Sequence, residues 1–196
     1  MAADGWHTYY GRDGEIIPPG VTRVRIDESL TVIPAAAFRA NRKIEEVKCH
    51  DRVKTVGGSA FVNCPSLRRV IMPGVEVIEQ YAFCDCKALM YVECDKLERI
   101  GRGAFAWCES LTSINLPSAK IVKLRAFASC KALTNINFGK ELESIEDGAF
   151  AQHQSFLNEA ATTLQHTLPQ DIMVNNVLPF LELPSYTFEV GDHEEE

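Results

Sequence analysis

The dipeptide Ala-Phe returns at Phe38, Phe61, Phe83, Phe105, Phe127 and Phe150, at intervals of 23, 22, 22, 22 and 23 residues. No other feature constrains the fold as much, because a fixed period makes every copy the same supersecondary unit. The apolar positions line up on the Phe. Six residues after it stand Ile44, Leu67, Leu89, Leu111, Leu133 and Phe156. Nine after it stand Val47, Val70, Val92, Ile114 and Ile136, and eleven after it Cys49, Met72, Cys94, Leu116 and Phe138. Five before it stand Ile33, Val56, Ile78, Ile100, Val122 and Ile145, and eight before it Leu30, Val53, Val75, Leu97, Ala119 and Leu142.

The downstream spacing is L-x-x-L-x-L, whose last two apolar positions flank one polar residue, as a strand with one buried face requires. The extra residue of the two longer intervals falls in one slot: "HDR" at 50–52 and "GKE" at 139–141 stand where another copy has "PG" at 73–74. Length variation confined to one slot marks a surface turn. "GSAFVNC" and "RGAFAWC" suit a single turn of α or 3₁₀ helix. The Ala allows two chain segments to approach closely and the Phe fills the space between coils. A coil cannot bury its apolar face alone, whereas stacked coils share one core. The Phe residues are then expected one strand spacing apart, about 4.7–4.9 Å, as an aromatic ladder.

The stretch "CESLTSINLPSAKIVKLRAFASC" (108–130) resembles the BspA-type leucine-rich repeat of bacterial surface antigens and large protist families, and the resemblance covers about residues 21–157. It implies an α/β right-handed leucine-rich repeat solenoid with a short parallel sheet. It also implies protein or surface binding and supplies no catalytic residue or cofactor. The expected organisation is an N-terminal cap over residues 1–20, a solenoid of about six to seven coils over 21–157, a helical segment over 158–190 and an acidic tail over 191–196. Val21, Val24 and Ile26 give a strand before the first full copy, and "WHTYYGRDGEIIPPG" ahead of it suggests a hairpin shielding the sheet edge. At the other end Glu159 stands where a strand needs Val or Ile. "NEAATTLQHTL" and "DIMVNNVLPFLEL" read as two amphipathic helices that cap the last coil. An alternative is a docking segment, since "LPQDIMVNNVLPFL" distantly resembles the opening of an F-box, which would make the chain an adaptor that recruits a ubiquitin ligase.

Charge and composition narrow the function. A net charge of −7 argues against a general nucleic-acid binder. No apolar run approaches the roughly 20 residues of a membrane-spanning helix. No basic-then-apolar leader opens the sequence, so an intracellular, cytoplasmic location is expected. Seven cysteines, an odd number, are expected as free thiols. Cys64, Cys86, Cys108 and Cys130 each follow a repeat Phe by three residues, with Asn41 and His153 in the same place at the ends. A column of parallel thiols suits neither a metal, which needs converging ligands, nor a disulfide, and is expected to satisfy carbonyls in the turn. Cys84 is the candidate for a reactive thiol. The histidines fit no metal motif, and no nucleophile elbow or phosphate loop is present, so no enzyme, metal or cofactor is expected.

Strand residues eight and ten places after the Phe point away from the core, onto the side expected to be concave. The first column reads Arg23, Glu46, Arg69, Tyr91, Ser113 and Asn135; the second reads Arg25, Lys48, Ile71, Glu93, Asn115 and Asn137. A basic end, an aromatic–aliphatic centre and an amide end form a graded surface for an unidentified protein partner. The expected function is a non-enzymatic protein-interaction scaffold, with the adaptor and a structural or surface protein as the alternatives.

Overall fold

The computed structural model describes residues 5–151, so the expected helical segment and acidic tail lie outside the described residues. Each coil contributes two strands. The first sheet takes β1 (His7–Tyr9), β2 (Arg23–Ile26), β4 (Glu46–Lys48), β6 (Arg69–Ile71) and β8 (Tyr91–Glu93), in that order. β10 (Ser113–Leu116) and β12 (Asn135–Phe138) pair separately on the same side. The second sheet is continuous across all six coils: β3 (Val32–Ile33), β5 (Thr55–Val56), β7 (Val77–Ile78), β9 (Arg99–Ile100), β11 (Ile121–Val122) and β13 (Ser144–Ile145). Every pairing is parallel, and equivalent repeat positions face each other, as in Val47↔Val70↔Val92.

The third side of each coil is the Ala-Phe segment. Phe38, Phe61, Phe83, Phe105, Phe127 and Phe150 stack in sequence with ring centroids 4.8–5.6 Å apart and planes within 8° of parallel. The expected ladder is present. Tyr9 extends it, tilted, 4.6 Å from Phe38. The rings, the strand residues nine and eleven places on and the second-sheet residues five places back form one buried core.

The expectation of a helical turn, and with it the α/β class, is corrected: no helix occurs among the described residues, and the Ala-Phe segment is a run of tight turns. The reason lies in where its N–H groups point. Phe38, Phe61, Phe83, Phe105 and Phe127 each donate to a carbonyl of the next coil at 2.7–2.8 Å, a third inter-coil ladder. The residues two before and two after the Phe do the same: Tyr81 N–H donates to Arg102 O and Trp107 N–H to Ala128 O. A helix would turn those groups back on its own segment. Sending alternate N–H groups outward needs left-handed backbone at these positions, and Tyr81, Trp107 and Arg125 adopt it with φ of 58°, 64° and 59°. Such a conformation costs an L-residue roughly 1–2 kcal/mol, which the added inter-coil bonds offset.

The N-terminal segment is not an antiparallel hairpin. β1 pairs parallel to β2, with His7 opposite Val24 and Tyr9 opposite Ile26, so it extends the first sheet by one strand. The slot that varies in length is crowded. A Cβ on Gly74 would lie 1.8 Å from Asp51 O, so adjacent coils meet there without a side chain between them.

The first sheet opens between β8 and β10. Earlier coils are joined there by Cys49 N–H to Ile71 O at 2.8 Å and Met72 N–H to Glu93 O at 2.9 Å. At the opening the Cys94 thiol instead lies 3.9 Å from Asn115 O. Asp95 spans the step, accepting from Asn115 Nδ2 at 3.3 Å and, through its carbonyl, from Ser118 Oγ at 2.8 Å. The second sheet and the Phe stack continue past this point, with Arg99 opposite Ile121 and Phe83 5.3 Å from Phe105.

Phe105 is fully buried between two rings. Phe105→Ala removes both contacts and is expected to cost about 3–5 kcal/mol, measured by urea unfolding. A loss below about 1 kcal/mol would show that the stack is not a principal source of stability.

Candidate functional site

Of the twelve residues expected on the sheet face, eight lie on one side of the first sheet and four on the separate β10–β12 pair, each set in coil-to-coil register. Arg23, Glu46, Arg69 and Tyr91 face one another in turn, as do Arg25, Lys48, Ile71 and Glu93. Beyond the opening, Ser113 faces Asn135 and Asn115 faces Asn137. Val24, Val47, Val70, Val92, Ile114 and Ile136 between the columns are buried, which commits their neighbours to the outside.

The columns are linked by side-chain contacts. Glu46 lies between two guanidiniums, 3.6 Å from Arg23 and 3.7 Å from Arg69. Arg69 also lies over the Tyr91 ring, 4.4 Å from its centroid, and Tyr91 donates its hydroxyl to Glu93 at 3.2 Å. Asn137 Nδ2 donates to Asn115 Oδ1 at 2.8 Å. Each exposed pair is worth at most about 1 kcal/mol, so their effect is orientation: guanidinium planes and an aromatic ring held in fixed poses on a rigid sheet. Tyr91 and Met90 remain among the exposed large apolar residues of the described chain, and Ile71 on the neighbouring strand is half-buried.

Three contributors were absent from the sequence reading. Trp6 lies under Arg23, 5.9 Å from guanidinium to ring. Thr8, opposite Arg25 in β1, accepts from Arg25 Nε at 3.0 Å. Asp95 ends the amide rung. The alternation of "WHTY" contained the signal for the first two, because Trp6 and Thr8 share one face of a strand whose Tyr9 is buried.

The cysteine column does what its position suggested, with one refinement. Cys64, Cys86, Cys108 and Cys130 donate to the carbonyls of Phe38, Phe61, Phe83 and Phe105 at 3.0–3.2 Å, so each thiol serves the preceding coil's turn. The carbonyls of Phe38, Phe83 and Phe105 also accept the N–H three residues on in their own turns. Asn41, with no such coil before it, accepts from its own loop, from Lys43 N–H and Ile44 N–H. All seven cysteines are free thiols. Burial pushes Cys49, Cys94 and Cys130 up to about 12 from an ordinary 9.0. Cys86 and Cys108 are raised by the same cause. Half-buried Cys84, expected to be the reactive thiol, is also raised, by desolvation and then by the Asp85 carboxylate. A reactive cysteine needs the opposite shift.

The family model described as BspA type Leucine rich repeat region matches residues 20–120 and 76–161, in six copies. No curated protein matches the sequence. Among solved structures, a leucine rich cell surface protein of Faecalibacterium prausnitzii is 26% identical with a TM-score of 0.61, over 79% of this chain and 44% of that one. A leucine-rich repeat protein of Bacteroides ovatus is 32% identical with a TM-score of 0.63, over 67% of this chain and 35% of that one. A third, from Eubacterium ventriosum, is 26% identical with a TM-score of 0.61, over 68% and 37%. The chain therefore spans less than half the length of these relatives.

The raised thiols fix a sign for stability. A group whose pKa is raised on folding contributes fully below the unfolded value and loses that contribution as pH climbs toward the folded one. Unfolding free energy should therefore be insensitive to these groups below pH 8 and fall between about pH 9 and 12, with chemical denaturation as the measure. Replacing Cys130 by Ala should reduce that slope, and an unchanged slope would remove the thiols as its cause.

Proposed function

The chain belongs to the BspA-type leucine-rich repeat family, and from that premise we propose that it is a non-enzymatic scaffold whose protein partner docks on the outer face of the first sheet. The observation that carries this reading is the linked row Arg23–Glu46–Arg69–Tyr91 on in-register strands. Arginine and tyrosine are the residue types most often found at binding hot spots. Here they are oriented before any partner arrives, which lowers the ordering cost of association. The apolar centre at Ile71, Met90 and Tyr91 supplies area to bury, and the basic and amide ends give the partner a direction. The winding is right-handed, as parallel crossovers are. The seven free thiols support an intracellular, reducing location.

A surface role is the second reading, favoured by the naming of the Faecalibacterium prausnitzii structure as a cell surface protein. Fractionation of native cells separates the two, since only the surface reading puts the chain in reach of an impermeant label.

The interface is tested by affinity capture with the wild-type chain beside Arg25→Glu combined with Arg69→Glu. The double variant should lose its captured protein while its Tm moves by only a few degrees, because exposed pairs contribute about 1 kcal/mol or less. Equal capture by both chains would overturn the assignment of this face.

A further inference from the structure

A second surface carries an inference independent of the first sheet. On the outer side of the second sheet a groove with a cavity volume of about 580 Å³ runs across the third to sixth coils. Charges on this sheet are paired from coil to coil: Lys54 with Glu76 at 2.7 Å, Lys120 with Glu98 at 3.1 Å and Lys123 with Glu146 at 2.6 Å. Arg99 and Arg102, both lining the groove, break that rule. The register neighbours of Arg99 are Val77 and Ile121, and neither the Arg99 nor the Arg102 guanidinium has a hydrogen bond or ion pair among the described residues. Two arginines of one coil, lining one groove, are left without an acid among the described residues.

The backbone beside them shows what is missing. Two coils use a carboxylate four places before their Phe to bind the N–H three places before the preceding Phe. Glu79 Oε2 accepts from Gly58 N–H at 2.7 Å, and Glu146 Oε2 accepts from Leu124 N–H at 2.8 Å. The equivalent donors inside the groove are the N–H groups of Gln80 and Arg102, and the residues that would serve them are Gly101 and Lys123. Neither can supply a carboxylate, and Lys123 is turned to Glu146. The groove's own acids, Glu79 and Glu146, are engaged with Gly58, Leu124 and Lys123. At Gly101 the coils approach closely, since a Cβ there would lie 2.7 Å from Gln80 N. That leaves Arg102 N–H as the better-placed backbone donor, in a groove that both arginines line.

The geometry points to a binding site for a carboxylate side chain of an acidic peptide segment, held by Arg99, Arg102 and the Arg102 N–H where neighbouring coils use their own glutamates. The charge assistance is that of any guanidinium–carboxylate pair, and the fold itself displays the backbone half of the arrangement twice. The occupant is an acidic segment of a second protein, and this chain's own residues 189–196 are the competing source that the test must exclude.

Full-length protein, labelled with ¹⁵N and titrated with acetyl-tetraglutamate amide, tests this. The Gln80 and Arg102 amides should shift, and labelled peptide read by anisotropy should bind about tenfold more weakly to the Arg99→Ala, Arg102→Ala variant. The first-sheet variant Arg25→Glu, Arg69→Glu should keep the Gln80 and Arg102 shifts, so this site can fail or stand separately from the proposed scaffold face. Shifts confined to the first sheet, or unchanged affinity in the Arg99, Arg102 variant, would overturn the proposal. In full-length protein carrying Glu194→Gln, Glu195→Gln and Glu196→Gln, tighter peptide binding identifies the tail as an occupant. Unchanged binding supports a second protein as the source, and tighter binding would overturn that source.

Discussion

Coil-to-coil stacking of one Phe per repeat is the constraint on which the rest of the molecule depends. A ring at 4.8–5.6 Å from the next fixes the rise per coil, and that rise matches the strand spacing of both sheets. Register follows: once Phe61 sits on Phe38, Val47 must face Val70 and Ile33 must face Val56. The outward columns are a consequence of this packing. Arg23, Glu46 and Arg69 meet because the buried residues beside them do.

Much of this was legible in the chain because two periods are superimposed. The 22-residue period identifies equivalent positions, and the two-residue period of a strand assigns each to the core or the surface. The sheet-face columns needed nothing else, and all twelve residues fall where those periods put them. The turn did not follow. Ala, Phe and Cys in a short segment are compatible with a helical turn, and left-handed backbone is normally signalled by Gly or Asn. Here Tyr81, Trp107 and Arg125 occupy it, because the inter-coil hydrogen bonds offset the local strain. That compensation is a tertiary property, and its local marks, Gly103 and Gly148 two places before the Phe and Asn63 two places after it, occur in only some copies.

The opening of the first sheet and the second-sheet groove were unreadable for a related reason. Both depend on one coil differing from its neighbours at a position the repeat does not constrain. The groove exists because Gly101 stands between Glu79 and Lys123, and its two cations are conspicuous only against pairs such as Lys54–Glu76. A column-by-column comparison of outward positions on the second sheet, like that made for the first, would have isolated Arg99 and Arg102. It would not have shown that Arg102 N–H lacks the carboxylate that its counterparts Gly58 and Leu124 possess.

The cysteines illustrate how a repeat separates packing from function. A thiol is small enough for the inside of the turn and still donates to the Phe carbonyl beneath it, and it recurs so in four successive coils. Recurrence at an inward position therefore argues for a packing role. At outward positions the logic reverses, because nothing in the stack requires Arg69 over Tyr91 or two arginines beside Gly101. In a solenoid whose core is this uniform, departures from the repeat on the surface are where binding specificity can be written, and this chain carries two such departures on opposite sheets.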